Sequence, residues 1–373
     1  MLTTDQQYIL RLLQASLKTE KVEEVPPINN REIDKIITRN GIRQTVYQIL
    51  PSDLQEELYN QYYVAVKQSV AQEYEGEHVL KALSDAGFSC IALKGWELRK
   101  MYPDRLMRQM ADLDILVRPY QYKRIRSIME QMGYRSENET TWKHDSFIKG
   151  EVHVEMHKRL TDDSGEIQKW ELEMWSRAVS VEGNIAKMTL EDYYIFHFVH
   201  LLKDFMNGAL GLRRIADTWL LSKQPVNMKI VTIKLKQFGI GTFHERMIHL
   251  SRATMGDEPM DEDSEVLLKH AFHYGIYGSG KSYKTGRIAA MGKNVKTGKL
   301  KSGIAALFLP YKRMKAQNPI LEKWPVLLPF CWLKRITQFL KGDLKRYRRM
   351  LDYSDISEAD YQEMKEFFKA GGI

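Results

Sequence analysis

Cysteine is nearly absent: Cys90 and Cys331 are the only two in 373 residues. Thiols so few and so far apart make neither a disulfide framework nor a paired-thiol metal motif, and both read as reduced, structural side chains. Long apolar runs are missing too. The longest, Pro325 to Leu333, falls far short of the ~18 residues that a membrane-spanning helix needs, so no transmembrane anchor is expected. The start, Met1-Leu-Thr-Thr-Asp-Gln-Gln, lacks a basic stretch followed by an apolar one, which removes a secretory leader and predicts a cytoplasmic protein. There is no fixed-period repeat, which excludes a solenoid.

Acidic residues are scarce in one place. Between Lys281 and Arg349, 18 Lys or Arg face only Glu322 and Asp343, a surplus of +16 in a chain whose total is +8, so the remainder is acidic. Segment 281–349 also carries Phe308, Tyr311, Trp324, Phe330 and Trp332, and could follow the phosphates of a nucleic acid or sit on an anionic membrane surface. Solvated loop and helix faces are the plainer and favoured reading.

What is present is ample material for packed cores, with 43% hydrophobic and 10% aromatic residues in a length that exceeds one ordinary domain. Periodicity divides the chain into an N-terminal helical region 1–87, an α/β region 88–188 and a C-terminal helical region 189–373. Ile33, Ile37, Ile42, Val46 and Ile49 continue a helical spacing across Gly41, and a long helix runs from Ser52 through Leu58, Tyr62 and Val66 towards Gly87. Phe88 to Leu93 and Asp112 to Val117 read as buried strands, and Tyr120 to Met132 reads as a helix. His144 to Ile148 with Val152 to His157, and Ala178 to Met188 around Gly183-Asn184, read as hairpins. The fold class is therefore α+β, a small mixed sheet flanked by helical regions. Gly278 to Gly303, rich in Gly, Lys and Ser, reads as an exposed loop, with helix resuming near Leu333 and again over Ser357 to Ala370.

The chemistry concentrates on two of these strands. In Asp112-Leu-Asp114-Ile-Leu-Val117, residues two apart share a face, so the two carboxylates project together while Leu113, Ile115 and Val117 pack the other side. Like charges so close repel unless a cation lies between them, and hard oxygen donors suit Mg²⁺. The second strand has matching parity: Val152, Val154 and Met156 inward, His153, Glu155 and His157 outward. Glu155 is then the third carboxylate, able to share a metal and to act as a base. Exposed polar positions on a half-buried sheet are the structural alternative. Lys94 and Gly95 stand at a strand-to-helix junction, where backbone amides can approach a phosphate, and Lys94 and Arg108 could neutralise phosphate charge or be ordinary surface cations.

Taken together, Ile91-Ala-Leu-Lys-Gly-Trp96, Tyr102-Pro103, Arg108, Asp112 to Val117, Gly133-Tyr134, His144 and Val154-Glu-Met-His-Lys-Arg-Leu160 resemble an uncharacterised bacterial nucleotidyltransferase family of the DNA polymerase beta superfamily. The resemblance extends over nearly the whole chain and is most specific between Leu93 and Leu160. It implies a polymerase-beta-like core and transfer of a nucleoside monophosphate from a nucleoside triphosphate, in the first place ATP, to a hydroxyl of a small molecule or protein. It further implies Mg²⁺ or Mn²⁺ on Asp112, Asp114 and Glu155. One position departs: the superfamily usually follows its first glycine with Gly or Ser, whereas Trp96 follows Gly95, so a hydroxyl contact to phosphate is missing. His144, His153, His157, Arg213, Arg214 and Asp217 are candidates for the acceptor site, with an interhelical ion pair as the equal alternative for the last three.

Two rivals remain. A non-catalytic module that keeps the fold would use the basic segment to hold RNA or an anionic surface. Gly275-Ile-Tyr-Gly-Ser-Gly280-Lys281-Ser282 satisfies the literal phosphate-loop pattern of ATPases and kinases, but Glu265 to His273 before it reads as helix rather than strand, and Tyr283 to Ala290 after it does not read as the required helix. His197 and His200 read as packed core histidines, lacking an acidic or thiol partner at useful spacing.

Overall fold

One sheet organises the chain. In the computed structural model its seven strands are β1 (Cys90–Ala92), β2 (Leu113–Val117), β3 (Arg135–Ser136), β4 (His144–Lys149), β5 (Val152–His157), β6 (Val179–Glu182) and β7 (Ile185–Lys187), in the order β3-β4-β5-β2-β1-β7-β6. β2 runs parallel to β5 and β1 parallel to β7, while the other neighbours are antiparallel. The class is α+β with a mixed sheet. Both expected hairpins are present, each turning on a left-handed glycine, Gly150 and Gly183. The structure describes residues 2–373 apart from 23, 119–121, 138–143, 162–164, 312, 313, 316, 317, 319 and 342–351. The end of the basic segment and the first residues of the helix expected from Tyr120 lie outside the described residues; Tyr122–Gln131 is helical.

Strand alternation decides what covers the sheet. Leu113, Ile115 and Val117 of β2 and Val152, Val154 and Met156 of β5 face one side, under Val79, Leu80 and Leu83 of the 34-residue helix Ser52–Asp85 and under Ile125 and Met129. Burying each such aliphatic side chain contributes roughly 1.5–3 kcal/mol. The opposite face is divided: Ile91, Leu93 and Leu116 enter the main core, whereas Asp112, Asp114 and Glu155 line a cleft beside it. That main core runs from Tyr8, Ile9 and Leu12 of the helix Thr4–Lys18 to Phe367 and Phe368 of the helix Glu358–Ala370. Among the described residues, no helix is long and apolar enough to cross a membrane.

Three expectations are corrected. The spacing across Gly41 does not make one helix: Asn30–Arg39 and Arg43–Val46 are separate. Residues 278–303 are not a loop but mostly the helices Gly280–Met291 and Val295–Leu307. Ser279 and Asn294 start them with capping boxes, closed by Ser282 and Thr297. Glycine here serves packing: a Cβ on Gly298 would stand 2.5 Å from the Ile288 carbonyl oxygen, so the two helices cross more closely than any side chain permits. The helix expected to resume near Leu333 starts at Leu328. A helix thus does follow the phosphate-loop look-alike, but the helix Glu262–Tyr274, not a strand, precedes it. Ser282 is spent on its cap and Lys281 on Asp360 at 2.7 Å.

Candidate functional site

The register of the sheet sets the site. β2 and β5 pair Asp114 directly with Glu155, and β5 pairs His157 with His144 on β4. Parallel neighbours stand about 4.8 Å apart, so the two carboxylates are crowded by backbone hydrogen bonding alone. Asp112, just before β2, shares the face of Asp114. One oxygen from each of Asp112, Asp114 and Glu155 lies within 4.8 Å of the others.

The loop that delivers Asp112 is clamped from three sides. Gln72, buried in the helix Ser52–Asp85, donates to the carbonyls of Met110 and Ala111 at 3.3 and 3.2 Å. Arg213, on the helix Leu212–Ser222, donates to the Gln109 carbonyl at 3.0 Å. Arg108 makes a two-pronged pair with Asp217, Nε to Oδ1 at 2.7 Å and an Nη to Oδ2 at 2.8 Å, and the Tyr102 hydroxyl donates to the same carboxylate at 2.8 Å. The fork that could have met phosphate is therefore engaged inside the protein. Gly95 serves the same packing: a Cβ there would meet an Arg108 nitrogen at 2.6 Å. Trp96, at the position of the missing hydroxyl, lies against Gly76 of the long helix.

Lys94 belongs to the site. Its backbone sits at φ +42, and the Tyr193 hydroxyl donates to its carbonyl at 2.6 Å. The ammonium reaches Asp114 Oδ1 at 2.6 Å. On the other side, His157 Nε2 lies 2.6 Å from the same oxygen and 3.2 Å from Glu155 Oε2. Charges follow from this arrangement. Burial opposes the Asp114 anion, but Lys94 and His157 overcome it and hold the carboxyl well below the usual range. Burial likewise opposes a charged His157, yet its hydrogen bonds to Asp114 and Glu155 raise its pKa. At Asp112 burial and then the charge of Asp114 outweigh the opposing pull of Lys94 and His157 and push it up to about 6.

This donor set fits a hard divalent cation. Oxygen ligands at about 2.1 Å from Mg²⁺ stand roughly 3–4 Å from one another, so three oxygens already within 4.8 Å close on an ion with small movements. His144, Glu155 and His157 form a second group of the same compactness.

The carboxylates line two adjoining cavities. One, of about 270 Å³, has Lys94, Asp112 and Asp114 on one wall and Tyr193, His200, Arg213 and Arg214 on the other. The second, of about 420 Å³, lies over Glu155, His153, Ser146 and Glu137. Gln109 to Asp112 and Tyr277 border both. Of the expected acceptor residues, His153 lines the second cavity, and Arg213, Arg214 and Asp217 the first. Arg214 is paired with Asp204 at 2.7 Å and Asp217 with Arg108, whereas Arg213 meets only a carbonyl. Several residues went unforeseen. Tyr193 carries no motif that marks it, and Tyr277 sits inside the phosphate-loop look-alike. Asp204 could have been found, because it stands four residues after His200 on one helix, its oxygen 3.2 Å from the His200 ring.

No curated protein matches the chain. Among solved structures it is similar to the antibiotic-resistance factor ANT(2'')-Ia, at 13% identity over 55% of this chain and 98% of that one, with a TM-score of 0.29. Residues 3–256, more than half of the chain, match the family model described as an uncharacterised nucleotidyltransferase, and the chain belongs to that nucleotidyltransferase family.

Proposed function

We propose that the protein transfers a nucleoside monophosphate from a nucleoside triphosphate, in the first place ATP, to a hydroxyl of a small molecule or protein. Asp112, Asp114 and Glu155 would hold the divalent cation, Mg²⁺ or Mn²⁺. The observation that carries this reading is the β2–β5 register, which sets Asp114 opposite Glu155 with Asp112 on the same face of the cleft. Bound there, the cation would offset charge on the phosphate oxygens and make the attacking hydroxyl more acidic.

The chain's own groups supply the rest. The acceptor oxygen bonds to the α-phosphorus, the bond from that phosphorus to the bridging oxygen breaks, and pyrophosphate leaves with the electron pair. Glu155, kept anionic by its hydrogen bond from His157, takes the acceptor's proton. Lys94 and Arg213, on facing walls of the smaller cavity, meet the triphosphate charge. Arg108 and Arg214, each tied to a carboxylate, position the walls. The second cavity, lined by His153 and Glu155, receives the acceptor; His144, 3.6 Å from Glu155, does not line it.

The test is incubation with nucleoside triphosphates labelled at the α-phosphate, Mg²⁺ and a cell extract. A labelled metabolite or a labelled protein is the expected product. Asp112→Asn and Asp114→Asn should fold normally by circular dichroism, yet release pyrophosphate at least about a hundredfold more slowly. Unchanged release from both variants would sink the assignment.

A further inference from the structure

The described part of the basic segment builds a lobe with a small core of its own, Met314, Leu321 and Cys331. Trp332 Nε1 donates to the Leu309 carbonyl at 2.9 Å, the Tyr311 hydroxyl donates to the Leu321 carbonyl at 2.8 Å, and the rings of Phe308 and Trp332 meet edge to face at 5.6 Å. With the Trp332 and Tyr311 polar groups turned inward, the outward positions of a water-facing lobe should be polar. They are not. Leu300, Ile304 and Phe308 recur every fourth residue along the helix Val295–Leu307 and its end, and are 65%, 50% and 42% exposed. Trp324, Val326, Phe330 and Leu333, leading into and along the helix Leu328–Lys341, are 60%, 76%, 67% and 58% exposed. Exposed Lys293, Lys296, Lys301, Lys323 and Lys334 are interspersed with them, and none forms an ion pair among the described residues.

We propose that this lobe docks the protein on an anionic phospholipid surface. Charge complementarity points to the partner: from Lys293 to Thr337 ten Lys or Arg face only Glu322, a surplus that matches the negative potential of acidic headgroups. The apolar side chains separate a bilayer from other polyanions. Single-stranded nucleic acid uses aromatic rings for stacking, whereas Leu300, Ile304, Val326 and Leu333 have no ring to offer. A protein partner fits poorly as well, because interface cores are depleted in lysine. Apolar side chains including Trp and Phe, bordered by lysines on short helices, are the composition of segments that lie in the headgroup layer. Nucleotidyl transfer would then act at or near that surface.

Sedimentation of the full chain with phosphatidylcholine vesicles, with and without phosphatidylglycerol, tests the proposal. Capture is expected only with phosphatidylglycerol and should weaken as salt rises. Ile304→Glu and Phe330→Glu, one on each helix, should each lower capture about tenfold or more while unfolding at the wild-type temperature. Leu300→Gln serves as a milder third variant should either of these fail to fold. No capture, or capture indifferent to these variants, overturns the proposal. So does self-association, or binding of single-stranded RNA, that the same variants abolish without any effect on vesicles.

Discussion

Arg108 and Asp217 show how much a single side chain can control at this site. Asp217 is 3% exposed and is kept anionic, against its burial, by the guanidinium of Arg108. Arg108→Ala would leave that carboxylate buried with only the Tyr102 hydroxyl and more distant cations, and breaking a buried pair from one side costs about 3–5 kcal/mol. Urea unfolding should show this loss. Combining Arg108→Met with Asp217→Leu should restore most of it, since no uncompensated charge remains. A single variant as stable as wild type would show that the pair is not what holds the loop before Asp112. An ion pair was the equal alternative for Asp217 in the sequence, but Arg108 as its partner was not legible, because the two stand 109 residues apart and only the packing of the Leu212–Ser222 helix beside the sheet brings them together.

At the scale of elements, every strand but the short β3 was legible, and some helices were not. The alternation of β2 and β5 fixes which face each carboxylate takes, so Asp112, Asp114 and Glu155 could be named from spacing alone. Glycine gave the wrong signal in residues 278–303, where it marks close helix crossing instead of a loop. Gly298→Ala tests this directly: its methyl group would press on the Ile288 carbonyl, and overpacking of this kind costs about 1–3 kcal/mol even though alanine favours helix. Calorimetry should record a lower unfolding temperature. A higher one would mean that the Gly280–Met291 and Val295–Leu307 helices pack more loosely than described.

For the whole molecule, acid sensitivity follows from three histidines in or beside the main core. His197 lies against Thr218, His244 shares a hydrogen bond with the Tyr194 hydroxyl, and His270 stacks on Phe367. Burial pulls each from an ordinary 6.5 down to about 4. Between those values the unfolded chain takes up protons that the folded chain refuses, so stability present above pH 6.5 is lost as the pH falls towards about 4. Together the three should contribute several kcal/mol, on the order of 2–3 each, to the difference. Urea midpoints should therefore be nearly constant from about pH 8 to 7 and drop clearly by about pH 5, with a shallower drop in His244→Gln. Equal midpoints across that range would contradict the burial of these rings.

The main core joins the first helix to the last. Phe367 stacks on Phe205 at 4.0 Å, in the same cluster that holds Tyr8 and, beside the carboxylates, Ile91, Leu93 and Leu116. A ribosome that has released residues 90–157 has made the three clustered carboxylates Asp112, Asp114 and Glu155, but the nascent chain cannot seal its interior until Glu358–Ala370 emerges. Premature termination anywhere before that helix should therefore yield a substrate for chaperones and proteases, not a smaller working enzyme.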